Sequence, residues 1–479
     1  MSNFIPKAEL RARFARALSE MYAKEVPLYQ TLVDTVREVN EEVIAKNQDL
    51  ESEAGDLDRV SEERHGAIRL AKPEEMRDMA RVFGTLGMYP VEYYDLTLDG
   101  LPVHSTAFRP VKEEELKENP FRVFTSLLRM DIIKEKYKNE AAIAEAAIAK
   151  RQIFSRRLLE LVTVSETKGG LSEAEAGEFI VEAMKTFKWQ QTAAVKQEEY
   201  EKLLQKDALL ADITGFHNPH INHLTPRVLD IDLLYEKMKA KGVTMIPAIQ
   251  GPPAKEADTL LRQTSFQALV EETSFPSDNG PPTKGKHRAR FGEVEQRGIA
   301  LTPKGRELYD AAIDKVRARS QQKDPGYNGV LEEEFRNYPG TFEELRKGEY
   351  AYFRYVPVEP LKKVSGEASL DDLIKQGAVT IRPLIYEDFL PVSAAGIFRS
   401  NLVDGGTAEV AAGDSDKRTS LEAAIGKKIL DPFALYAAIE AKSIAAVYQA
   451  VGAKIPSALD AKVKAAINAD PSKNVNGRR

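Results

Sequence analysis

Two stretches far apart in this chain read as the same unit, and that likeness restricts the fold more than any other feature. In the first, His65-Gly-Ala-Ile-Arg69 leads into KPEEMRDMARVFGTLG and then MYPVEYYDLTL. In the second, His223-Leu-Thr-Pro-Arg227 leads into DIDLLYEKMKAKG and then VTMIPAI. Each has His-x-x-x-Arg, an acidic helix start, a helix that ends at glycine (Gly87, Gly242), and an apolar strand-like run. The expectation is a strand–helix–strand unit used twice. The chain between them, from Glu113 to Leu209, carries helical periodicity: EAAIAEAAIAKRQIFSRRLLELV is rich in strong helix formers, and LSEAEAGEFIVEAMKTF opens on a Ser172 cap.

This gives an α+β fold with a large helical insertion. The expected division is N-terminal helices over 1–50, with a break at Pro27; a first module over 51–112; the helical insertion over 113–208; a second module over 209–312; and a C-terminal region over 313–479 ending in a disordered polar tail, PSKNVNGRR. Phe291 to Leu301 alternates as a strand, with Glu293 and Glu295 on one face and Val294 on the other.

Composition narrows the chemistry. The 479 residues include no cysteine, so disulfides, thiolate metal sites and cysteine nucleophiles are excluded, and any metal must take His, Asp, Glu or backbone oxygen. A net charge of −6 gives no sign of a nucleic-acid partner. The N-terminus interleaves charges with apolar residues, unlike a secretory signal. No run reaches the about 18 apolar residues that a membrane span needs. A cytoplasmic protein is expected.

Three of the six histidines, His217, His220 and His223, fall in GFHNPHINHLTPR. Pro219 and Pro226 argue against a helix there; in an extended segment His217 and His223 share one face and His220 takes the other. Only His223 has a counterpart in the repeat, His65. Equivalent strand starts would bring these two to one cleft, where Glu293 or Glu295 could complete a two-His, one-carboxylate set. That set suits non-haem Fe(II), with Mn(II) or Zn(II) as alternatives. Arg69, four residues past His65 on the same strand face, suits either a bidentate grip on a substrate carboxylate or a structural ion pair. His104 and the arginines of FRVFTSLLR are further candidates to line the cleft, though packing roles fit them as well. GPPTKGKH nearly matches a phosphate-binding loop, but His287 replaces the hydroxyl residue and two prolines remove backbone donors.

Several blocks in order, RHGAIR, PVHSTAFRP, FRVFTSLLR, NPHINHLTPRVLDID, LLRQTSF, RFGEVEQRGIALTPKGRELYD, AYFRY and YEDFLPVSAAGIF, resemble the 2-oxoadipate dioxygenase/decarboxylase family, also called hydroxyglutarate synthase. The resemblance runs from about Leu10 to Val451. It implies a vicinal-oxygen-chelate-like core similar to hydroxyphenylpyruvate dioxygenase, with Fe(II) held by His65, His223 and Glu293. Glu293 rather than Glu295 matches the ligand position in the F-x-E-x-x-Q-R strand of those relatives. Arg69 is implied as the group that binds substrate carboxylate, and Val392, in FLPVSAAG, as a backbone contact to substrate. The implied reaction turns 2-oxoadipate and O2 into (R)-2-hydroxyglutarate and CO2, a step in lysine breakdown, with no organic cofactor. Competing expectations are another metal-dependent lyase or isomerase on the same scaffold, or a non-catalytic metabolite-binding protein. His217 and His220 are left as neighbours of the site, His220 the more purely structural.

Overall fold

The first His-x-x-x-Arg stretch is a strand, β1 (Arg64–Leu70), buried along its whole length. Its alternation puts His65, Ala67 and Arg69 on one face and Gly66, Ile68 and Leu70 on the other. The structure is a computed structural model that describes residues 4–46, 57–266, 270–278, 280–288, 290–320, 324–390 and 415–475. β2 (Tyr89–Asp95), β3 (Val103–Arg109), β4 (Arg122–Leu128) and β5 (Leu224–Pro226) complete a sheet in the order β2-β3-β4-β1-β5. β1 is parallel to β4 and antiparallel to β5, with His65 opposite Thr225.

Both faces of this sheet are covered, which is why its strands lack a solvent face. Ile68 and Leu70 join Met76, Met79 and Phe83 of the helix Pro73–Thr85 in one core, together with Leu161 and Phe179 from the helices Arg156–Lys168 and Glu173–Phe187. On the other face Ala67 packs with Ala141, Leu203, Leu210 and Ile213. Those residues come from the helices Lys138–Ala149, Gln197–Lys206 and Ala208–Gly215. The helical insertion therefore clamps the sheet from both sides. Ser172 caps its helix as expected from the sequence, and Glu175 makes the cap reciprocal.

Beyond β5 come the helix Ile231–Ala240, β6 (Leu261–Ser265), the hairpin of β7 (Glu271–Phe275) and β8 (Thr283–His287), and β9 (Glu293–Arg297). β9 pairs antiparallel with β6. It also runs beside the end of β5, where Arg227 bridges Glu295 and the Val228 N–H reaches the Glu295 carbonyl at 2.8 Å. A second core holds Tyr309 and Ile313 of the helix Pro303–Arg319, the hairpin β10 (Phe353–Pro357) and β11 (Val379–Pro383), and the helix Pro432–Val451.

Three expectations need correction. FRVFTSLL, inside the span read as helical insertion, is β4, so the sheet crosses the boundary placed at residue 112; its β-branched and aromatic residues are buried on both faces. VTMIPAI is not a regular strand: Ile246 and Gln250 donate to Ser265 and Gln263 beside β6 at 2.8 and 2.7 Å, but Pro247 between them has no N–H to give. The start of the polar tail is structured, since Pro471–Asn474 forms a turn of 3-10 helix capped by Asp470, while residues 476–479 lie outside the described residues.

The N-terminal helices, Lys7–Glu25 and Pro27–Lys46, break as expected around Pro27. They also brace the site. The Tyr22 hydroxyl lies 2.8 Å from the carbonyls of both Asn222 and Phe291, tying together the segments that lead into β5 and β9.

Glu440, on the helix Pro432–Val451, accepts the Phe353 N–H at 2.8 Å. Burial pushes its carboxyl up from the usual 4.5 to about 7. A raised folded-state value means the stabilising contribution is complete below pH 4.5 and is lost as pH climbs through 7. Glu440→Gln keeps the acceptor without the charge. It is expected to exceed the parent at pH 8 by about 1–3 kcal/mol and to match it near pH 5, by urea denaturation at both values. Equal stabilities at pH 8 would count against this account.

Candidate active site

The register of three strands brings His65, His223 and Glu293 together. Each offers a ligand atom within 4.8 Å of the others, and all three residues are buried. His65 Nε2 lies 3.4 Å from Glu293 Oε1, and His223 Nδ1 lies 3.8 Å from Glu293 Oε2. The imidazoles meet edge to face at 5.3 Å. Two glycines permit this approach: a Cβ on Gly66 would lie 2.6 Å from Ile221 Cδ1, and one on Gly292 would lie 1.9 Å from the Phe266 ring.

Neighbouring groups separate the two candidate glutamates. Glu295 is gripped by both Arg297 Nε and Nη2, at 2.8 and 2.9 Å, and lies 3.0 Å from His65 Nδ1. Burial alone would raise its pKa, but Arg297 and His65 hold it down at about 2. Glu293 instead faces His65, His223 and the Gln263 amide, which donates to it. Burial raises the Glu293 pKa. Burial would lower His65, yet Glu295 and Glu293 outweigh it and raise its proton affinity; burial, helped by His65 and Arg69, lowers His223 well below the usual imidazole range. The rings are fixed as well as placed. His223 Nδ1 meets the Thr225 hydroxyl at 2.9 Å, Phe291 stacks on His223 at 5.1 Å, and Phe389 meets His65 edge to face at 4.9 Å.

Arg69 is buried, and its guanidinium donates to Asp212 on the helix Ala208–Gly215. His220 and His287 also gather on Asp212, forming a second group able to offer metal ligands. His217 is exposed, whereas the three converging residues are buried. His104 sits opposite Leu127, level with Leu70 and away from His65. Arg122, opposite His65, is engaged by Glu63 at 3.0 Å and by Glu387, while Arg129 pairs with Asp131 near the surface. Val392 lies outside the described residues; the chain just before it delivers Phe389 to His65.

The sequence model of the 2-oxoadipate dioxygenase/decarboxylase family matches residues 14–401. The chain belongs to this family. The 2-oxoadipate dioxygenase/decarboxylase of Pseudomonas putida is 45% identical over 463 residues, covering 94% of this chain and 98% of the relative. That of Escherichia coli is 44% identical over 457 residues, covering 92% and 98%. The crystal structure of the Pseudomonas putida hydroxyglutarate synthase in complex with 2-oxoadipate superimposes with a TM-score of 0.85 at 42% identity, over 94% of this chain and all of that one.

In this family member, sequence reading had missed Asp212, Tyr200 and the supporting part of Glu295. Asp212 left one local sign: it is the single charged residue in the mostly apolar helix ALLADITG, and a buried carboxylate needs partners. Tyr200 and His287 left none, because their meeting depends on how a helix and a hairpin pack.

Proposed function

We propose that the protein is an Fe(II) enzyme that converts 2-oxoadipate and O2 to (R)-2-hydroxyglutarate and CO2. The observation that carries this reading is the convergence of His65, His223 and Glu293 in a chain of this family. The donors fit the ion. Two imidazoles and one carboxylate, with no sulfur, leave open positions on a six-coordinate metal. Glu293 is contacted by His65, His223 and the Gln263 amide, so a cation held between the imidazoles and the carboxylate would offset its buried charge. We read the paired modules around these residues as a vicinal-oxygen-chelate-like arrangement.

When bound, Fe(II) supplies a chelation point for the 2-oxo acid and the means to activate O2. The chain's own residues do the rest. Glu295 and Thr225 fix the orientation of His65 and His223. Arg69 would hold the remote carboxylate of the diacid and so aim its carbon chain. Phe389 and Phe124, in contact at 5.3 Å, give the His65 side an apolar wall that excludes water. The atoms balance without an outside reductant: one carbon leaves as CO2 and both oxygen atoms are retained among the products.

The test is anaerobic reconstitution with Fe(II), then oxygen-electrode and CO2 measurements with 2-oxoadipate. One CO2 per O2 consumed is expected, with none from Zn(II)-loaded protein. Substrate turnover without oxygen uptake would overturn the proposal in favour of a lyase.

A further inference from the structure

Arg69 is held from behind by a buried chain of polar groups. Its acceptor Asp212 is also 3.0 Å from His287 Nε2 and 3.5 Å from His220 Nε2. An ionised carboxylate only accepts, so His287 Nε2 carries the proton. In a neutral imidazole Nδ1 then accepts, and the Tyr200 hydroxyl, 2.6 Å away, donates to it. Trp189 lies flat against His287 at 5.5 Å, fixing the plane of the ring. Asn222 adds a second acceptor: with its amide nitrogen on the Ala67 carbonyl at 3.3 Å, its oxygen takes Arg69 Nη1 at 3.1 Å and His220 Nε2 at 3.2 Å.

Asp212, His220 and His287 have the composition of a metal site, but the surrounding charge argues otherwise. Arg69 already neutralises the carboxylate. The Trp189 ring packs against both histidines. A divalent ion there would compete with Arg69 for the one carboxylate, whereas Glu293 is contacted by imidazoles and an amide.

We infer that Asp212 is a positioning residue for Arg69, backed by His287 and Tyr200, and that this chain of contacts sets the preference for a 2-oxo diacid over a 2-oxo monoacid. The inference rests on Arg69 as the carboxylate-binding group. A guanidinium grips a carboxylate best when its planar fork is already aimed, and a free arginine side chain has many rotamers to lose. Asp212 and Asn222 remove that freedom before substrate arrives. Asp212 also compensates the buried Arg69 charge.

The test compares the parent with Asp212→Asn and Tyr200→Phe. Metal-free protein is titrated calorimetrically with 2-oxoadipate and with 2-oxohexanoate, and the Fe(II)-loaded protein is assayed for kcat/KM on both. The diacid-to-monoacid ratio is expected to fall about 10–100-fold in Asp212→Asn, which removes a charge-assisted bond, and about fivefold in Tyr200→Phe. Binding of 2-oxohexanoate and the iron content should not change. A purely structural role would lower both substrates together. Tyr200→Phe decides alone if Asp212→Asn fails to fold. Unchanged ratios would overturn the inference, as would a second bound metal lost in Asp212→Asn. A parent without iron-dependent oxygen uptake would instead refute the proposed function, so the two failures are distinct.

Discussion

Glu293→Gln is expected to strip the protein of its metal and reduce 2-oxoadipate-dependent oxygen uptake to background. The amide keeps the side chain's shape and can still accept from Gln263, so what it removes is the anionic donor. Losing a partner of a ligand costs about 10–100-fold in metal affinity, and losing the ligand itself should cost at least that. The fold should survive, because burial already disfavours the charged form of Glu293. Metal content after dialysis, by atomic emission, separates this from unfolding, with circular dichroism as the control. Full retention of metal and activity would remove Glu293 from the site.

Arg69→Ala is expected to raise KM for 2-oxoadipate by about 10–100-fold, the range for a lost charge-assisted hydrogen-bonded pair, while metal content stays at the parent level. It has a second effect. Asp212 would keep its charge in a buried position without its guanidinium, a loss of about 3–5 kcal/mol. Adding Asp212→Asn removes that charge, so the double variant should recover most of the melting temperature but none of the KM. An unchanged KM in a folded, metal-replete Arg69→Ala protein would sink the assignment of Arg69.

What could be read from the sequence follows the range of the forces involved. His65 and Arg69 share a strand face by simple alternation, a rule that acts within a few residues, and the shared His-x-x-x-Arg spacing pointed to His223. Glu293 and Glu295 illustrate the limit. Alternation puts both on one face and both reach His65; only the packing of β9 against the segment before β5 shows that Glu293 is the one that also faces His223, while Arg297 grips Glu295. VTMIPAI misleads for a similar reason: its apolar content is that of a strand, yet one proline interrupts the pairing. β4 was hidden by the helix formers on either side of it. The cluster on Asp212 joins a helix, a loop and a hairpin, so no local pattern encodes it.

The order of folding follows from where β1, β5 and β9 sit in the chain. The helices between β4 and β5 can form early from contacts close in sequence, but β5 reaches β1 only after a long loop closes, and β9 only after another. Until then His65, His223 and Glu293 are too dispersed to act together on an ion. On the assignment proposed above, the protein must therefore be largely native before it can take up metal, and metal offered after folding should load it as well as metal present throughout.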